Sequence, residues 1–194
     1  MFDVLKLATE QDVIRLIEED EWMMELLRVV NELNLPDWWI SAGFIRSKIW
    51  DTLHGFTERT PLPDIDVIYF DTSNLDEQVE KQFEAKLDNI LPGVGWSVKN
   101  QARMHKINQL PPYQSAVDGI AHFPETVTAL GVALNSDNQV VFTAPYGIKD
   151  VVSLNVKPSP PFQQDLLEVY QQRVTQKKWS STWPKLQIHN LKEC

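Results

Sequence analysis

The sequence predicts an α/β (α+β) fold: a small mixed β-sheet of few strands, covered by helices, with further helices at both ends. Three observations lead there. Apolar residues recur at helical spacing over much of the chain. Two runs, Trp38–Gly43 and Asp64–Asp71, break that pattern and read as buried strands, the second rich in β-branched and aromatic residues. Proline and glycine clusters at Pro61–Pro63, Pro92–Gly95, Pro111–Pro112 and Pro158–Pro161 separate the periodic segments.

Residues 9–33 read as one helix, because Ile14, Ile17, Met24, Leu27 and Val30 recur at spacings of three, four or seven. Thr9 and Asp12 suit a capping box, and Pro36 stops the segment. After the strand at 38–43, residues 44–54 form a helix on Ile45, Ile49 and Leu53, with Gly55 as its C-terminal cap. Residues 56–63 are a loop, and Asp64–Asp71 is the strongest strand. Leu75, Val79, Phe83, Leu87 and Ile90 stripe a helix over 75–91. A third strand spans 96–104. Helices are expected over 113–121, 125–134 and 147–155, and a strand over 139–143. Residues 157–161 read as a linker, 162–178 as an amphipathic helix on Leu166, Leu167, Tyr170 and Val174, and 179–194 as a loose tail. This divides one expected domain, 1–194, into an arm at 1–35, a core at 36–157, the C-terminal helix and the tail.

Composition narrows the function. The chain has 194 residues, 43% hydrophobic and 23% charged, enough to bury a core. No apolar run reaches the length of a membrane span, and the N-terminus has acids but no apolar signal region, so a cytoplasmic setting is the default. The one cysteine, Cys194, forms neither an internal disulfide nor a cysteine metal cluster. Eighteen basic residues against 27 acidic give a net charge of −9, which disfavours non-specific binding to long nucleic acid. A small anionic substrate bridged by a metal stays compatible with that charge.

Asp64 and Asp66 are the sharpest chemical feature. Alternate strand residues share a face, so both carboxylates point the same way, about 7 Å apart at their α-carbons. Two acids on one face of an apolar strand need neutralising, and hard oxygens suit Mg²⁺ or Mn²⁺. The plain alternative is a turn residue at Asp64 and a salt-bridged Asp66. Gly43, between a strand and a helix, would let a phosphate approach that helix's N-terminal amides. Arg46 and Ser47 lie in the same first turn, and both residue types bind phosphate. A tight-turn role for Gly43 is the alternative. Lys99 and Arg103, four apart on the third strand, would lean over a triphosphate or form a solvated stripe. His105 would bind phosphate, act as a base or simply pack.

Taken together, these elements resemble the polymerase-beta-like nucleotidyltransferase superfamily, in particular the head domain of CCA-adding enzymes and bacterial poly(A) polymerases. Ala42-Gly43-Phe44-Ile45-Arg46-Ser47, then Leu53-His54-Gly55, then Asp64-Ile65-Asp66 keep the order of the heads' Gly-Gly-x-Val-Arg-Asp, Leu-Leu-Gly and Asp-x-Asp segments. Phe123–Leu130 and Ala144–Asp150 are similar to two later segments of those heads. The chain as a whole resembles compact bacterial proteins of this superfamily. The resemblance implies a metal-dependent transfer of NMP from an NTP to an acceptor hydroxyl, with Asp64 and Asp66 holding Mg²⁺ or Mn²⁺. Gly43, Arg46 and Ser47 would hold the triphosphate. With no long tRNA-gripping helical region, a small molecule or a protein side chain is the expected acceptor.

Two departures stand out. Phe44 replaces a small residue and is expected to crowd the triphosphate. The third strand lacks the acid that active members carry, with Asn100, Asp118 and Glu125 as candidate replacements. A nucleotide-binding or interaction module that lost this carboxylate is therefore the alternative reading.

Overall fold

A computed structural model describes residues 7–190; residues 1–6 and 191–194, Cys194 among them, lie outside that range. The single expected helix at 9–33 is two, α1 (Glu10–Glu18) and α2 (Glu21–Asn31). Asp20 causes the break. Its backbone is extended, and its carboxylate accepts the Met23 N–H at 3.1 Å, capping α2. The Thr9–Asp12 capping box forms as expected, with both reciprocal bonds made. The same Asp20 carboxylate meets Lys48 at 2.8 Å and Arg59 at 2.7 Å, so a buried acid ties the N-terminal helices to residues 48–59.

The sheet contains β1 (Trp39–Ser41), β2 (Ile65–Tyr69), β3 (Trp96–Asn100), β4 (Gly131–Leu134) and β5 (Val140–Thr143), in the order β3-β2-β1-β4-β5. Only β2 and β3 run parallel within it, joined by the crossover helix α4 (Glu77–Ile90). Helix α3 (Gly43–His54) leaves β1 directly and ends at Gly55, whose φ of +73° is the left-handed cap the sequence predicts. Ile40, Val67, Val98 and Val132 alternate onto one face and enter the main core with the N-terminal helices and α3. Ile68 faces the other way, toward Ala116 and Ile120 of the short helix α6 (Ala116–Ala121).

Several expected boundaries shift, each for a physical reason. The third strand ends at Asn100 rather than 104. There the Asn100 Oδ1 accepts the Ala102 N–H at 3.1 Å and caps the short helix α5 (Gln101–Met104), after which comes a 3₁₀ turn at His105–Asn108. No helix forms over 125–134. Residues 125–130 turn back on the Glu125 carbonyl, and β4 is buried along its whole length, so its apolar run carries no strand alternation. The 157–161 segment is no free linker. The Ser159 N–H donates to the Pro124 carbonyl at 2.9 Å and its hydroxyl to the Phe123 carbonyl. Helix α7 (Lys149–Val152) and strand β6 (Asn155–Val156) precede this segment. After it come α8 (Leu167–Lys177), α9 (Trp179–Thr182) and β7 (Gln187–Ile188).

The described part of the expected tail, 179–190, is packed rather than loose. Trp179 and Trp183 are buried edge-on against Trp50, with ring centroids at 5.7 and 5.0 Å. The Trp183 indole donates to Asp51 at 2.8 Å, the Lys185 N–H donates to His54 Nε2 at 3.1 Å, and β7 pairs with β6. Burying two indoles on a third outweighs the entropy of ordering this segment.

Candidate functional site

A cavity of about 360 Å³ opens on the sheet face opposite the main core. Its size lies within the range of small-molecule sites. Strand alternation brings Ser41, Asp66, Ile68 and Lys99 to it, and Asp64, just before β2, lies on the same side. The expected pairing of Asp64 and Asp66 on one face therefore holds. The opposite wall comes from α5, the 3₁₀ turn and α6, and the rim from α8. Close packing of that wall depends on Gly119, where a Cβ would lie 2.5 Å from Gln101 Oε1 and 3.1 Å from its Cβ.

Charge defines the chemistry of this cavity. Burial pushes the Asp66 carboxyl above the usual carboxylate range, and neighbouring Asp64 pushes it further; Arg173, Lys177 and Arg46 partly offset both. Arg173 and Lys177 reach the cavity from α8. Arg173 Nε lies 2.7 Å from Oε1 of fully buried Glu125, in ion-pair contact but not aligned as a hydrogen bond. On the aromatic side, Tyr113 and His122 stack at 4.8 Å with 24° between their planes. The His122 Nδ1 donates to the Asp118 carbonyl at 2.8 Å.

Of the residues the sequence singles out as phosphate ligands, only Lys99 lines the cavity. Its Nζ lies 3.6 Å from Glu80 and 3.7 Å from Glu84. Arg103 does not share a strand face with it, because the strand has ended. Arg103 instead clamps fully buried Glu80 through two 2.6 Å hydrogen bonds. Arg46 and Ser47 are buried in α3 and do not line the cavity. The Arg46 guanidinium lies over Trp50 and Trp179, at 5.0 and 4.5 Å from the ring centroids. Burial pulls it down to about 10, against the opposing pull of Glu125, so it remains cationic at neutral pH. His105 packs edge-on to Tyr113, also outside the lining.

The backbone feature expected at Gly43 falls one residue earlier. Gly43 is the first residue of α3, and a Cβ there meets nothing closer than 3.5 Å. Ala42 carries the special conformation, φ 53° and ψ −114°, and lines the cavity. Phe44 does not crowd the site; its side chain turns into the core against Trp22, centroids 5.9 Å apart.

None of the three candidate replacements for the missing acid joins the aspartates. Asn100 spends its side chain on Ala102, Asp71 and Asn74. Glu125 serves Thr128 and Arg173, and Asp118 accepts from the Gln114 N–H. Among the described residues, no group of three or more acids, histidines or cysteines is placed to hold a metal. The sequence reading missed Arg173, Lys177 and His122. The first two are four apart on an amphipathic helix, a spacing that signals one shared face.

The parallel β2–α4–β3 unit, the strand-to-helix turn at Ala42 and the paired aspartates define the nucleotidyltransferase class of fold. The chain belongs to the nucleotidyltransferase family, which it matches over residues 28–188. It is 31% identical to a protein whose NMR structure is described as revealing a CCA-adding enzyme head domain, over 97% of this chain and 100% of that one, with a TM-score of 0.83. Full CCA-adding enzymes share the fold at 15% identity: an apo form (TM-score 0.58, covering 91% of this chain) and a complex with CTP (TM-score 0.57, also 91%). This chain spans 42% and 43% of their lengths, respectively. No curated protein matches the sequence. No helix among the described residues is long and apolar enough to cross a membrane.

Proposed function

We propose that this chain moves a nucleoside monophosphate from an NTP to the hydroxyl of a small molecule or a protein side chain, at the cavity lined by Asp64 and Asp66. The observation that carries the reading is this pair of same-side carboxylates lining one cavity in a nucleotidyltransferase fold. The donor set fits a hard divalent cation: two carboxylates share one cavity, and burial together with the neighbouring Asp64 charge already raises the Asp66 carboxyl. Asp64 and Asp66 would hold Mg²⁺ or Mn²⁺. Such an ion, when bound, neutralises phosphate charge and polarises the P–O bond.

The chain's own residues do the rest. Asp64 and Asp66 would set where the cation sits in the cavity, while Lys99 on the adjoining strand stays with Glu80 and Glu84. The stacked Tyr113 and His122 offer an aromatic wall. The acceptor oxygen bonds to the α-phosphorus as the bond to pyrophosphate breaks and the hydroxyl proton passes to solvent; positioning supplies most of the rate. The acceptor preference rests on the net charge of −9.

A second reading, nucleotide binding without transfer, is favoured by the absence of a third carboxylate at the aspartates among the described residues. Pyrophosphate release from each common NTP, with Mg²⁺ and a panel of hydroxyl acceptors, separates the two. Turnover is expected in the wild type, and a loss of about a hundredfold or more in Asp66→Asn. Undiminished turnover in that variant would remove Asp66 from the site.

A further inference from the structure

We propose that Arg173 and Lys177 on α8 form a clamp for the polyphosphate chain of the substrate, a role the motif residues of α3 do not fill. This rests on the reading of the cavity as a nucleotide site and names what grips the β- and γ-phosphates there.

Four observations converge on it. Both side chains line the cavity that holds Asp64 and Asp66. They sit four residues apart, so one turn of helix sets them side by side. The helix carrying them is firmly docked: Leu167, Tyr170 and Val174 are buried along its neighbouring face, and the Tyr170 hydroxyl donates to the carbonyls of Val156 at 3.1 Å and His189 at 2.8 Å. Finally, both cations have donors to spare. The Lys177 side chain makes no hydrogen bond or salt bridge among the described residues. Arg173 meets Glu125 through Nε in an ion-pair contact, and its guanidinium makes no side-chain hydrogen bond among the described residues.

Glu125 is the positioning residue. It is fully buried, held by the Thr128 hydroxyl at 2.6 Å, and it anchors the Arg173 guanidinium by one edge. The fork of an arginine gripped from one side presents its remaining N–H groups in a fixed direction, suited to phosphate oxygens. The other cations of the site are already engaged. Lys99 and Arg103 neutralise Glu80 and Glu84, and Arg46 is enclosed by tryptophans. At the cavity that leaves the Lys177 ammonium and the Nη groups of Arg173, whose Nε faces Glu125, to meet a polyphosphate.

The alternative role for the pair is as counter-ions of Asp64 and Asp66 alone, and the two roles part under titration. Calorimetric titrations would use inorganic tripolyphosphate with Mg²⁺, ATP with Mg²⁺, and AMP, against wild type, Lys177→Gln and Arg173→Gln. Lys177 is exposed, so its variant folds whatever happens at Arg173, where substitution uncovers a buried glutamate. A clamp predicts about tenfold weaker binding of tripolyphosphate and ATP per lost cation, the scale of one charge-assisted hydrogen bond, with AMP unchanged. Wild-type affinity for both polyphosphates in Lys177→Gln overturns the clamp. If the Asp64→Asn/Asp66→Asn double variant then still loses ATP, the nucleotide site stands without it. Wild type that binds neither polyphosphate overturns both.

Discussion

Asp66 sits in an environment that disfavours its charge. Burial and the neighbouring Asp64 both raise its proton affinity. In the folded chain without metal it therefore holds its proton to higher pH than in the unfolded chain. Its contribution to stability is fully present below the ordinary value of 3.8 and is lost as pH rises through the raised folded value. Asparagine avoids that loss. Asp66→Asn is thus expected to melt higher than wild type at neutral pH without metal, the difference shrinking as the pH falls toward 3.8. A variant that melts lower at neutral pH would show that the carboxylate is stabilising instead. Ala42, beside it, also sits in a conformation that L-residues avoid. A site that combines close like charges with an unfavourable backbone is held by its surroundings, as functional sites often are.

Two elements decide what the site contains. Helix α4 covers the edge strand β3 with a pair of glutamates: Glu84 accepts the Val98 N–H at 3.0 Å and Glu80 the Asn100 N–H at 2.9 Å. The helical i,i+4 spacing matches the strand's i,i+2, so the unpaired edge donors are satisfied. Lys99 and Arg103 then balance buried Glu80 and half-buried Glu84, which is why they are poor candidates for free phosphate ligands. The C-terminal segment is the second element. Trp183 locks it to α3 by packing on Trp50 and bonding Asp51. Trp183→Ala is expected to lower the unfolding free energy by about 3–5 kcal/mol, measured by denaturant titration, as for other buried aromatics. An unchanged midpoint would return the segment to the status of a tail.

This contrast shows what was legible in the sequence. β1, β2, α3 and the Gly55 cap follow from local periodicity and glycine conformation, and the structure has them. The shared face of Asp64 and Asp66 follows from the two-residue period of a strand. The break at Asp20, the end of β3 at Asn100 and the docking of Trp179 and Trp183 do not, because each depends on partners distant in sequence or on a single capping bond. Arg46 illustrates the limit: its position in the motif is readable, but its burial between tryptophans 4 and 133 residues away is not.

At the scale of the whole molecule, a chain of net charge −9 nonetheless brings two cations of one helix to the cavity. Arg173 and Lys177 stand at the rim of the cavity that also holds the paired aspartates. Such local charge focusing suits a compact anionic ligand better than an extended one. The chain spans 42–43% of the length of the two CCA-adding enzymes it resembles. The most direct measurement is calorimetric titration of the four common NTPs with Mg²⁺ into wild type and the Asp64→Asn/Asp66→Asn double variant. The expected result is metal-dependent binding of at least one NTP that the double variant loses. Equal binding by wild type and variant would contradict the assignment of the cavity, and no binding by wild type at millimolar NTP would contradict the nucleotide site itself.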